Sequence, residues 1–205
     1  MKLYKKSFPD CLPEYQQLVS EGNEQAFEMV YNNYHKKLIA FSKNYTGSKE
    51  QAEEIVEDVF VKLWCNRENV TQIKNLNVYL YTSVKHQSLN ALSQEARRVV
   101  TESLEVSEYD VQSEDNSPHD LLVTSELMQS IQSAIESLPP RCKLIFQMVR
   151  EDKLHYREIA EILNISVNTI DVQMAIAVKR LCSALNIQTR VKVSQGNRQK
   201  KLKFF

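Results

Sequence analysis

The chain has 205 residues, 42% hydrophobic and 25% charged, with 26 basic and 26 acidic side chains and a formal net charge of zero. That length holds one or two domains with ordinary cores, and the even balance excludes a protein that grips nucleic acid through bulk phosphate attraction alone. Only three glycines are present and period-two runs are scarce, which excludes a hairpin-rich sheet protein and sets the expected class as all-α.

Residues 1–22 read as an N-terminal segment without the apolar run of a signal peptide, and no stretch is apolar for long enough to span a bilayer. A first helical region is expected over residues 23–96, broken at Thr46-Gly47-Ser48 and again across the polar stretch Asn66 to Asn75. Ser48-Lys49-Glu50-Gln51 has the spacing of a capping box, in which the Ser hydroxyl and the Gln side chain satisfy unpaired amides reciprocally. In the helix that follows, Ala52, Ile55, Val56, Val59, Phe60 and Leu63 recur as a core stripe, while Glu53, Glu54, Glu57 and Asp58 gather on the outer side. Like charges one turn apart repel by about a few tenths of a kcal/mol. Such a face is either simply solvated or meets a basic partner. No His stands at the Glu-x-x-His spacing of a di-metal bundle.

Residues 97–120 carry Glu102, Glu105, Glu108, Asp110, Glu114, Asp115 and Asp120, and between Glu102 and Asp120 no Lys or Arg intervenes. Too few apolar residues accompany them to offset the entropy of ordering, so a flexible acidic linker is expected. A second helical region spans 121–186, with Pro139-Pro140 at the first turn of a helix, where a missing amide does no harm. Within it, Ile159, Ala160 and Leu163 share a packing side and leave Arg157, Glu158 and Glu161 for water. Asn164 suits a left-handed turn residue and Ser166 an N-cap, while Ile170, Ala177 and Leu181 recur at helical spacing. Asn168, Asp171, Val172 and Ala175 are left outward. This is the pattern of a helix-turn-helix, whose second helix enters a DNA groove; a plain helical hairpin with a solvated face is the alternative. The tail, 187–205, is basic through Arg190, Lys192, Arg198, Lys200, Lys201 and Lys203 and ends in Phe204-Phe205.

Cys11, Cys65, Cys142 and Cys182 are scattered without Cys-x-x-Cys or His partners at zinc spacing, so they read as thiols of a reducing, cytoplasmic compartment. His35, His86, His119 and His155 lack nucleophile partners and no Gly-rich phosphate loop occurs. The expectation is a protein that is not an enzyme and uses no cofactor, metal or small-molecule substrate.

Taken together the motifs resemble the extracytoplasmic-function (ECF) group of sigma factors. Ala26-Phe27-Glu28 with Tyr31 and Tyr34, Gln51-Ala52-Glu53-Glu54, Val56-Glu57-Asp58-Val59-Phe60 with Leu63-Trp64, and Tyr79-Leu80-Tyr81 look like the family's domain two. Leu138-Pro139-Pro140-Arg141 and Glu158-Ile159-Ala160-Glu161 with Ser166, Thr169 and Ile170 look like its domain four. The resemblance implies that Glu53, Glu54, Glu57, Asp58, Phe60 and Trp64 dock on the clamp helices of the largest subunit of core RNA polymerase. It implies that Asn66, Arg67, Asn75, Tyr79, Thr82, Lys85, His86 and Asn90 open and read the minus-ten element of promoter DNA. For the minus-thirty-five element it implies Arg157, Ser166, Asn168, Thr169, Asp171, Val172, Lys179 and Arg180. Asp171, His86, Asn90 and Ser93-Gln94 depart from the residues common in the family. An anti-sigma factor, often membrane-tethered, is the further partner implied. The rival reading is a dimeric helix-turn-helix regulator acting without polymerase.

Overall fold

A computed structural model describes residues 12–102 and 124–184 of the chain, with side chains described for 12–94 and 129–184. Every regular element among them is helical: α1 (Leu12–Ser20), α2 (Glu24–Thr46), α3 (Lys49–Cys65), a 3-10 helix (Arg67–Gln72), α4 (Leu76–Glu102), α5 (Thr124–Glu136), α6 (Pro140–Arg150), α7 (Tyr156–Leu163) and α8 (Val167–Ala184). The expected all-α class holds. Most of the acidic linker and all of the basic tail lie outside the described residues, although α4 continues to Glu102, past the expected linker start at 97.

Helix α1 falls within the stretch read from sequence only as an N-terminal segment. It ends where Gly22 takes φ 83, with its amide donating to Val19 O and that of Asn23 to Leu18 O. These are the two bonds of a Schellman stop, which needs a left-handed residue that glycine supplies without strain. Asn23 then caps α2 by accepting from the Ala26 amide at 2.9 Å. The buried Gln16 side chain ties α1 to the 3-10 helix by donating to Val70 O and Ile73 O at 2.8 and 2.9 Å. Val70 O also accepts from the Ile73 amide at 3.1 Å, so Gln16 adds a second bond there and supplies a donor to Ile73 O where the 3-10 helix ends.

Helices α2, α3 and α4 form the first bundle. Val30, Tyr34, Leu38 and Phe41 of α2 meet the expected α3 stripe, of which all six members are buried. From α4 come Leu76, Val78, Leu80, Tyr81 and Val84. The Ser42 and Ser88 hydroxyls are fully buried 2.8 Å apart and satisfy each other. At the start of α3 the Gln51 amide donates to Ser48 Oγ at 3.2 Å. The expected box is only half formed, because the Ser48 hydroxyl turns to Glu50 at 2.8 Å and no return bond from the Gln51 side chain accompanies it.

In the C-terminal group α6, α7 and α8 pack through Ile145, Met148, Ile159, Ile162, Ile170 and Met174. Pro140 opens α6 as expected. Ile162 replaces Leu163 as the buried partner of Ile159, and Met174 joins Ile170 and Ala177, with Leu181 half-buried. The turn between α7 and α8 holds Asn164 at φ 54, ψ 53. One buried apolar cluster runs without a break from Val19 in α1 to Met174 in α8, so the two groups of helices lie against each other, α7 on α4 and α6 on α2.

Candidate functional site

Three surfaces carry the candidate residues. On α3, Glu54, Glu57 and Asp58 are exposed and Glu53 is half-exposed. Two loose one-turn ion pairs, Lys49 to Glu53 at 3.7 Å and Lys62 to Asp58 at 3.9 Å, offset the charge only slightly. Beneath the carboxylates lies an aromatic bed. Phe27 packs at 4.8 Å on Trp64 and edge-on to Phe60 at 6.1 Å, Tyr31 sits 4.8 Å from Phe60, and His35 stacks on Tyr31 at 4.5 Å. Phe60 is itself buried, so it supports this surface from below. The Arg67 guanidinium stands 4.9 Å over the Trp64 ring and donates to Trp64 O. Burial, then Glu57 and Glu53, raise the Tyr31 phenol above its ordinary range. Acid and ring therefore share one patch. Sequence reasoning left Phe27 and Tyr31 out of the polymerase-binding set; their four-residue spacing on α2 was the available signal.

On α4 the two candidate rings part company: Tyr79 is 39% exposed and Tyr81 fully buried as a core anchor. Tyr79, Thr82, His86 and Asn90 follow at offsets of three and four and form one outward stripe. Asn66 is exposed at the end of α3. Asn75 and Lys85 face elsewhere. The Asn75 side chain caps α4, accepting from the Val78 amide at 3.1 Å, and also donates to Glu158 Oε1 at 2.8 Å. Asn77 donates to the same oxygen at 2.9 Å and accepts from the Tyr34 hydroxyl. The Lys85 ammonium donates to the carbonyl of Ile162.

Glu158 thus corrects the expectation that it remains in water. It is only 9% exposed, and its second oxygen accepts from the His155 amide at 2.7 Å to complete the N-terminal cap of α7. Burial opposes its ionisation, but the bonds from Asn75, Asn77 and the His155 amide outweigh it and hold the carboxyl below its ordinary range. Next to this contact Asp152 shows the opposite balance. Burial pushes it up to about 6 despite Tyr81 and Lys37. The buried Tyr81 hydroxyl faces that carboxyl without closing a hydrogen bond of ordinary geometry.

On α8, Ser166 caps the helix by accepting from the Thr169 amide at 3.1 Å, and the two hydroxyls lie 2.8 Å apart. Asn168, Asp171, Val172 and Ala175 are exposed as expected, continuous with Ile176 and Lys179, while Arg180 and Arg157 also reach water. An exposed helix face with an apolar centre at Val172, 49% exposed, and polar residues around it suits a DNA groove. Among the described residues no His, Cys, Asp and Glu cluster has metal-binding geometry and no helix is long and apolar enough to cross a membrane.

These surfaces coincide with two regions of a known family. Residues 30–98 match the model of Sigma-70 region 2 and residues 128–181 that of Sigma-70, region 4. With both regions present in order, the chain belongs to the sigma-70 family, in its ECF group: a factor that joins RNA polymerase to promoter DNA and directs promoter-specific initiation. It is 24% identical to the ECF RNA polymerase sigma factor SigW of Bacillus subtilis over 163 residues, 76% of this chain and 87% of that protein. It is also 24% identical to the ECF RNA polymerase sigma-E factor of Escherichia coli K12 over 158 residues, 74% and 82% of the two chains. Among solved structures it resembles the sigma factor RpoE in complex with the anti-sigma factor NepR from Bartonella quintana, with a TM-score of 0.56, 19% identity, and 80% and 98% of the chains covered. CnrH in complex with the cytosolic domain of CnrY is similar at a TM-score of 0.50 and 13% identity, covering 86% and 98%. The pairing of the two regions does not favour the dimeric regulator.

Proposed function

We propose that the α3 surface is the polymerase-docking site, with Glu53, Glu54, Glu57 and Asp58 meeting a basic helical face, the clamp helices of the largest subunit, around an anchor at Trp64. The observation that carries this is an acidic rim set on a half-exposed aromatic bed, the composition of a protein interface and not of a solvated face. The Tyr79, Thr82, His86 and Asn90 stripe reads the unpaired minus-ten element by ring stacking and edge contacts, with Asn66 and Arg67 flanking it from the end of α3; Asn75 and Lys85, turned onto Glu158 and Ile162 O, add to that set only where those bonds are released. Asn168, Thr169, Asp171 and Val172 read base edges of the minus-thirty-five element, Ser166 holds the helix start, and Arg157, Lys179 and Arg180 contact phosphates.

On this reading residues 23–96 and 121–186 work as two modules, joined by the 97–120 tether, in the cytoplasm. The protein carries out no chemistry, and nucleotide transfer belongs to the core enzyme. An anti-sigma factor, membrane-tethered in one form of the reading, is the regulatory partner, as RpoE of Bartonella quintana is held in complex with the anti-sigma factor NepR. The test is the double variant Glu54→Lys/Asp58→Lys, checked for unchanged helicity, in co-elution with core polymerase and in transcription from a pool of genomic promoters. Loss of both association and initiation is expected. Retention of both overturns the docking assignment.

A further inference from the structure

Helix α1 brings to the first bundle a polar group that apolar packing does not require. Its Leu12, Tyr15, Leu18 and Val19 lie against the core, yet the position among them is held by Gln16, only 8% exposed. A side-chain amide is tolerated there only when paired. Both of its hydrogens are used: Nε2 donates to Val70 O at 2.8 Å and to Ile73 O at 2.9 Å. Fully matched buried polar groups rigidify what they join and specify one arrangement of it.

What Gln16 joins is the connection between α3 and α4. The 3-10 helix Arg67–Gln72 runs for six residues, long for a form whose hydrogen-bond geometry is poor, so support from outside matters. At its start Arg67 donates to Trp64 O at 3.2 Å and lies over the Trp64 ring. Gln16 holds its end. The two carbonyls that Gln16 grips stand on either side of Thr71 and Gln72, both exposed. One amide therefore sets the peptide planes that bound this stretch, and with them the direction in which its side chains leave the backbone. Gln72 in turn donates to Asn69 Oδ1 at 3.2 Å. Asn69, Thr71 and Gln72 are an exposed, uncharged set of donors and acceptors, chemistry that matches the edge of an unpaired base.

We propose that Gln16 is a positioning residue for promoter reading: from α1 it locks the turn that carries Thr71 and Gln72, so that the connection between α3 and α4 meets an unpaired base in one preset geometry. This rests on the reading of the first bundle as the minus-ten reader. A preset turn loses little freedom on binding, and it keeps the discrimination that depends on where donors and acceptors stand. A turn released from Gln16 still rests on the bundle through the buried Val70, but it meets the wrong base nearly as well as the right one.

Gln16→Met removes the donor and keeps length and burial. The full chain, assembled with core RNA polymerase, is given two pools built on a promoter that the wild type transcribes, one randomised in the minus-ten element and one in the minus-thirty-five element. Co-elution with polymerase and preference in the minus-thirty-five pool are expected to stay unchanged. The ratio between the best and the worst base at one or more minus-ten positions is expected to fall about fivefold, the effect of one or two lost hydrogen bonds. A role confined to stability lowers the melting temperature and the output of all promoters alike and leaves that ratio intact, a result that overturns positioning. Equal loss of preference in both pools overturns it too. Gln72→Ala, at an exposed position, is the second variant should Gln16→Met fold poorly: altered preference at minus-ten positions supports the proposal and unaltered preference overturns it. A wild type indifferent to the minus-ten pool refutes the minus-ten reading and the role of Gln16 with it, whereas a discriminating wild type beside an equally discriminating Gln16→Met refutes the role of Gln16 alone.

Discussion

Asp152→Asn is expected to stabilise the protein at neutral pH. Asp152 sits between α6 and α7, facing Tyr81 and Lys37 with Glu151 beside it, and burial raises its carboxyl from 3.8 to about 6. A raised acid binds its proton more tightly in the folded chain than in the unfolded one. Its favourable share of stability is therefore complete below pH 3.8 and is lost as pH rises through about 6. At about 1.4 kcal/mol per pH unit, a shift of roughly two units sets the upper bound on that loss near ~3 kcal/mol. Asp152 keeps some contact with water, and screening there leaves about 1–2 kcal/mol to recover by neutralising it. For a chain of this length that is a rise of about 3–6 °C in Tm at pH 7.5. Differential scanning fluorimetry of both proteins between pH 4 and 8 measures it, the difference between them cancelling every other titrating group. The gap should be widest above pH 7 and close by pH 4. A variant less stable than the wild type at pH 7.5, or a gap independent of pH, refutes the burial argument.

Glu158→Ala leaves the Asn75 and Asn77 amides without their acceptor and removes the α7 cap, a loss of about 2–4 kcal/mol that thermal melting registers as a fall of roughly 5–10 °C. Because its hydrogen bonds hold the Glu158 carboxyl below the ordinary glutamate range, its contribution is present above that ordinary range and disappears as pH falls through the lowered value, so the penalty should shrink in acid. Asn164 holds a left-handed turn. Asn164→Gly should stay within about 0.5 kcal/mol of wild type, whereas Asn164→Val should cost more than about 1 kcal/mol in chemical denaturation. Lys153, exposed at φ 62, gives the converse: Lys153→Gly relieves strain, and a gain of about 0.5–1 kcal/mol in the same assay is expected.

How much was legible in the sequence depended on whether the deciding interaction was local. The α3 stripe, the Pro140 helix start, the Asn164 turn and the Ser166 cap each follow from residues within a few positions of one another, and each was readable. Helix α1 was not. Its stability comes from Gln16 reaching carbonyls more than fifty residues away, and nine residues alone are too few to hold a helix in water. Glu158 was misplaced for the same reason. On a helical wheel it falls beside Arg157 and Glu161, and only the arrival of Asn75 and Asn77 from α4 makes an acid tolerable on the packed side. The aromatic bed was half legible: Trp64 and Phe60 came with the acidic helix, while Phe27 and Tyr31 reach it from α2. For α4, alternate tyrosines two positions apart had to point to different sides, but only the packing decided which one faced water.

The bond from Lys85 to Ile162 O bears on the zero net charge as well. A promoter reader with surplus cations would adhere to any duplex, because phosphate contacts set affinity independently of sequence. Here one Lys of the α4 set is turned onto a carbonyl, and the exposed carboxylate row on α3 repels DNA and suits a basic protein. Affinity for a promoter must then come from joining two weak readers on one platform, where the second engages at high effective concentration.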